Sequence, residues 1–95
     1  MNKSTKTYRE EFSKIKQEVL IRDNFTCLLK SQEFCFPPLT VDHIRKRSLR
    51  GNNNMKNLIT LCSGHHDYVE QLPTRKKEEL LYGILAKKYG YKYEK

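Results

Sequence analysis

The stretch Val41–Glu70, VDHIRKRSLRGNNNMKNLITLCSGHHDYVE, constrains the fold more than any other part of this chain. All three histidines lie in it: His43 in the Asp42-His43 pair at its start, and His65 and His66 behind Cys62 near its end. Leu39 to Ile44 alternates between faces and carries β-branched Thr40, Val41 and Ile44, which predicts a strand. Arg45 to Lys56 reads as a basic loop, with Gly51-Asn52-Asn53-Asn54 as strong turn chemistry. Asn57 to Leu61 predicts the returning strand, and His65 to Gln71 a helix. A hairpin followed by a helix brings Asp42 and His43 close to His65 or His66. Successive strand residues point to opposite faces, so the first strand is expected to end or bend at the pair.

The flanks read as support for this unit. Phe12, Ile15, Val19 and Leu20 form an apolar stripe that predicts a helix over residues 9–22, with Asp23-Asn24 as its stop. Residues 1–8 read as a loose N-terminus, Phe25 to Leu29 as a short strand, and Ser31 to Pro38 as a loop. Thr74 is placed to cap a C-terminal helix over 74–90 with Leu80, Leu81, Ile84 and Leu85 on its apolar face and Gly90 as its stop. With no internal repeat and no linker, residues 1–95 read as one α+β domain with its core over 39–72. A chain of 95 residues buries little more than roughly 60% of its unfolded surface, so a staple beyond the apolar core is expected.

The net charge of +8 points to a polyanionic partner, most often nucleic acid. Arg45, Lys46, Arg47, Arg50 and Lys56 fall between His43 and Asn57 with no acidic residue among them, a cluster suited to tracking phosphates. No run of 18 apolar residues is present, so no membrane partner is expected. MNKSTKTYREEF lacks the apolar core of a secretion signal, and a cytoplasmic location follows as an expectation. Three cysteines fit a disulfide framework poorly and fit thiolate ligands completed by a histidine better.

A carboxylate and an imidazole from the two sides of the hairpin-helix unit make a partial shell for a divalent cation, with positions left for water and phosphate oxygens. A second imidazole beside them suits a general base near neutral pH. These residues together resemble the HNH endonuclease motif, a ββα-metal nuclease site. Asp42-His43 match its first element, Asn57 in NLITLC its second and His66 its third, while VLIRDNFTC, from Val19 to Cys27, resembles the family's approach to the site. The resemblance implies His43 as general base, and Asp42 and His66 as ligands of one catalytic divalent cation such as magnesium or manganese. It implies Asn57 as the residue that holds the loop. The implied reaction is phosphodiester hydrolysis leaving 5′-phosphate and 3′-hydroxyl ends. The implied substrate is DNA, double-stranded and read with little sequence specificity unless a protein partner supplies it. Standalone members of this size are common in phages, which would put the protein in a bacterial host cell.

Many family members also carry two Cys-x-x-Cys pairs around a structural zinc, and this chain departs from that pattern twice. Cys27 is followed three positions later by Lys30, and Cys62 by His65. Imidazole replaces a thiolate without loss of tetrahedral geometry, so Cys27, Cys35, Cys62 and His65 form a candidate Cys3His zinc site. The alternative is that the cysteines are ordinary buried thiols. The rival function is a zinc-stapled nucleic-acid-binding module without activity, in which Asp42 and His43 have no purpose. An RNA substrate is compatible with the composition.

Overall fold

The computed structural model describes residues 8–29 and 35–92, so the expectations for residues 1–7 and for residues 31–34 of the 31–38 loop lie outside the described residues. The chain folds as a small α+β unit: helix α1 (Tyr8–Arg22), strand β1 (Leu39–His43), strand β2 (Leu58–Cys62), helix α2 (Ser63–Glu70) and helix α3 (Thr74–Tyr89). β1 and β2 pair antiparallel, with Thr40 opposite Leu61, Asp42 opposite Ile59 and His43 opposite Leu58. Every residue of β2 is buried, while β1 is half-buried or exposed. Its unbroken apolar run LITLC suits a strand covered on both faces, and full burial of Leu58, Ile59 and Leu61 stabilises the fold by about 1.5–3 kcal/mol each.

Cys27, Leu28, Ile44, Ile59, Leu61, Cys62, Val69, Leu81 and Leu85 make one buried cluster that joins the hairpin to α2 and α3. Lys77, Leu81 and Leu85 follow at four-residue spacing and are the buried residues of α3, whereas Leu80 lies exposed. Pro73, not Thr74, takes the N-cap position of α3, and no side chain caps it there. Gly90 ends the helix in the left-handed region at φ 74°. Phe25 to Leu29, expected as a strand, is a turn instead. Asn24 and Phe25 both adopt positive φ, 57° and 50°, which is incompatible with extended pairing, and the Leu28 N–H donates to the Thr60 carbonyl at 3.1 Å. Among the described residues, no helix is long and apolar enough to cross a membrane.

The end of α1 is tied to the rest by a buried ion pair. Arg22 Nε donates to Asp23 Oδ1 at 2.7 Å, and its other nitrogens donate to the carbonyls of Met55 (2.6 Å) and Leu58 (2.8 Å). Asp23 also accepts from the Thr60 N–H at 3.0 Å and from the Tyr89 hydroxyl at 2.6 Å. The guanidinium lies 4.9 Å from the Tyr89 ring centre, a cation–π contact from the end of α3. Burial works against the charged form of Asp23, but hydrogen bonds from Arg22, Tyr89 and Thr60 and the Arg22 charge outweigh it and hold the carboxyl below its usual range.

A carboxyl depressed in the folded state binds fewer protons than in the unfolded state, so its contribution is complete above the unfolded value near about 3.9 and fades as pH falls through the folded one. Asp23→Asn should therefore lower stability at neutral pH, by up to about 3–5 kcal/mol if Arg22 is left uncompensated. It should also flatten the loss of stability below about pH 4. Urea unfolding of both proteins across that range measures this; parallel pH curves would contradict it.

Candidate functional site

Asp42 and His43 close β1, and α2 begins one residue after β2 ends. The hairpin register and this tight entry bring His66 against the end of β1, with its Nδ1 2.8 Å from Asp42 Oδ1. That approach is close without being aligned as a hydrogen bond, and His66 Nδ1 is buried with no hydrogen-bond partner among the described residues. An oxygen and a ring nitrogen converging in this way form two corners of a cation site. Burial pushes the Asp42 carboxyl up, against the Thr40 hydroxyl that donates to Oδ2 at 2.7 Å and the nearby charges of His66 and Lys77. A half-buried carboxylate so placed gains from a bound cation.

His43 lies in the same depression, about 350 Å³ in volume, with Lys46, Arg47, Glu70 and Lys77 on its walls. Its Nε2 donates to Asn53 Oδ1 at 2.7 Å, and its ring stacks on Phe12 of α1 with centroids 5.2 Å apart. In the neutral imidazole this leaves Nδ1 as the basic nitrogen. Lys77 Nζ reaches Glu70 Oε2 at 2.7 Å, and Lys46 approaches the other oxygen at 3.6 Å. The hydrogen bond from Lys77 holds the Glu70 carboxyl below its usual range despite some burial. Glu70 is thus neutralised by two lysines beside the convergence of Asp42 and His66.

Asn57 sits in a 3-10 turn, Met55–Asn57, just before β2. Its Oδ1 accepts from the Arg45 N–H at 2.8 Å, and its Nδ2 donates to the carbonyls of Arg45 (3.1 Å) and Asn52 (2.9 Å). The Tyr82 hydroxyl adds a bond to Oδ1 at 2.6 Å. One side chain therefore satisfies the backbone on both sides of the basic loop, directly after His43. Asn52 and Asn54 close turns of their own on the N–H groups of Asn54 and Lys56.

Cys27, Cys35, Cys62 and His65 come together beside the start of α2, one ligand atom from each lying within 4.8 Å of the others. His65 Nδ1 is 3.3 Å from Cys27 Sγ and 3.2 Å from Cys62 Sγ. Cys62 also caps α2, its sulfur accepting the His65 N–H at 3.3 Å. Burial opposes ionisation of Cys62, but that N–H and the neighbouring thiols hold it below the usual thiol value. Cys35 is pushed up to about 12 by its hydrogen bond to Cys62 and the crowding of a second sulfur. Three sulfurs this close ionise together only around a cation, and the donor set suits a structural metal such as zinc.

The five loop cations do not act as one cluster. Lys46 and Arg47 face the depression of Asp42, His43 and His66, whereas Arg45, Arg50 and Lys56 face another. Arg45 is paired with Glu78 of α3 at 2.9 Å. Phe12, Asn53 and Lys77 escaped the sequence reading as site residues. Nothing in the chain separates Phe12 from an ordinary core position, or Asn53 from the asparagines beside it. Lys77 did carry a signal: it stands one helical turn before Leu81 and two before Leu85, on the buried face.

Residues 26–68 match the family model for HNH endonuclease. No curated protein and no solved structure matches the chain. The matched segment runs from the turn that carries Cys27, through the hairpin, into α2 with His65 and His66. Folded as a ββα unit around its Cys–His cluster, this segment is similar to the HNH endonuclease family.

Proposed function

We propose that the chain is a metal-dependent DNA endonuclease or nickase that hydrolyses phosphodiester bonds at Asp42, His43 and His66. The observation that carries this reading is the 2.8 Å convergence of Asp42 and His66 in the same depression as His43. Asp42 Oδ1 and His66 Nδ1 are the groups that would hold the catalytic ion. Bound there, magnesium, manganese or a similar divalent cation supplies positive charge to the scissile phosphate and to the departing 3′ oxygen. His43 Nδ1 takes the proton of the attacking water as its oxygen bonds to phosphorus. The bond from phosphorus to the 3′ oxygen breaks, the 3′ oxygen takes a proton from solvent, and the products are a 5′-phosphate and a 3′-hydroxyl. Asn53 fixes the ring through Nε2 and Phe12 supports its face, so Nδ1 is presented in one tautomer and one orientation. Asn57 keeps the loop behind it closed. Lys46 and Arg47 attract the phosphates on either side of the scissile bond.

Supercoiled plasmid incubated with the protein and magnesium or manganese should become nicked or linear. His43→Ala should slow that conversion by about 10²–10⁴-fold while leaving the fold intact by circular dichroism. Equal cutting by the folded variant sinks His43 as the base. Plasmid bound but left uncut by both proteins favours the binding-module reading.

We further propose zinc as the ion held by Cys27, Cys35, Cys62 and His65. Elemental analysis should find one zinc per chain, and Cys62→Ser should lose both the metal and a large part of the thermal stability, because metal binding is coupled to folding. A metal-free parent with an unchanged melting temperature would remove the zinc site.

A further inference from the structure

The basic loop bounds two depressions, one of which holds Asp42, His43 and His66. The other encloses about 300 Å³ and is lined by Arg45, Arg50 and Lys56. No acidic side chain lines it among the described residues; Glu78 reaches the Arg45 guanidinium without forming part of the wall. Glu78 balances Arg45, and the charges of Arg50 and Lys56 facing the same small concavity favour an anion there.

The walls are fixed backbone. Arg45 is held through both its N–H and its carbonyl by Asn57, which the Tyr82 hydroxyl braces from α3. A Cβ on Gly51 would run into the carbonyl of Arg45, so the loop closes this tightly only with glycine there. The Gly51 N–H donates to the Lys46 carbonyl at 2.9 Å. Arg50 itself is left-handed, at φ 70° and ψ 23°, a conformation that disfavours any side chain with a Cβ. An arginine stands where glycine would be the relaxed choice, and its side chain faces the concavity.

We propose that this depression is a second phosphate site, which takes a backbone phosphate of the nucleic acid at a distance from the bond that is cut. The proposal rests on the nuclease reading for its substrate. The polyanion then straddles the turn at Arg47–Leu49, with Lys46 and Arg47 on the cleavage side and Arg50 and Lys56 on the other. Contacts of this kind set the position of the strand without reading its bases, so they add affinity and register but no sequence preference.

The test measures binding without cleavage. In the His43→Ala background, a fluorescent DNA duplex is titrated by anisotropy over a range of KCl concentrations with no divalent cation added. Arg50→Gly should bind severalfold more weakly, with a salt slope smaller by about 1. Its melting temperature should stay level or rise, because glycine fits the left-handed backbone, so weaker binding would not reflect misfolding. Lys46→Ala should weaken binding too, and the double variant should lose the product of the two factors, as expected for separate phosphates. An Arg50→Gly variant with the parental affinity and slope overturns the proposal, as does a loss in the double variant no larger than in either single one. If Arg50→Gly abolishes thermal protection by inorganic phosphate but leaves duplex binding unchanged, the pocket takes a free anion and the proposal falls. Failure of the nuclease reading shows separately, as plasmid left uncut by the parent with these binding slopes intact.

Discussion

The buried pair of Arg22 and Asp23 joins the end of α1 to β2 and to α3. Arg22 closes the carbonyls of Met55 and Leu58 at the entry to β2, and Asp23 closes the Thr60 N–H within it. Tyr89 binds the same carboxylate from the far end of α3. A charge pair removed from water is costly unless its remaining donors and acceptors are satisfied. Here the satisfying groups come from α1, β2 and α3, so satisfying the pair requires assembling the fold. A chain with a core of this size gains more from such a junction than from another apolar contact, because the junction also fixes which strand edge lies against which helix.

The same economy governs the site. The matched family segment ends at residue 68, yet three of the side chains that shape the depression, Phe12, Glu70 and Lys77, lie outside it. Phe12, from α1, supports the face of His43, and Lys77, from α3, neutralises Glu70 beside Asp42 and His66. The flanking helices thus do more than cover the hairpin: each sends one side chain back to the chemistry. The junction at Asp23 fixes the end of α1 and the end of α3 on β2, and from there the helices reach the site.

Charge is arranged in three zones around the hairpin. Beside the start of α2, thiols and an imidazole crowd together in a set that could hold a metal ion. At the end of β1, a half-buried carboxylate and a ring nitrogen converge. Along the loop, cations point outward into two depressions. Asn57 lies between the last two zones and satisfies the backbone of the loop on both sides, so the loop keeps its shape without an apolar core of its own.

Much of this was legible in the chain itself. Alternation in Leu39–Ile44, the apolar run LITLC and the spacing of Leu81 and Leu85 determined a hairpin followed by helices, because short-range periodicity follows directly from strand and helix geometry. The turn glycine and asparagines located the loop for the same local reason. The grouping of Cys27, Cys35, Cys62 and His65 was expected from the resemblance to the family's Cys-x-x-Cys pairs, with imidazole standing in for a thiolate. Tertiary structure alone decided the rest. Phe25 is a left-handed turn rather than a strand, its N–H closing on the Leu20 carbonyl at 2.8 Å, and the Leu28 N–H then meets the Thr60 carbonyl. Which of three adjacent asparagines meets His43, which face of α1 carries Phe12 to that ring, and how the loop divides its cations all depend on the approach of segments distant in sequence. No local period encodes such an approach; only the packing of the assembled segments sets it.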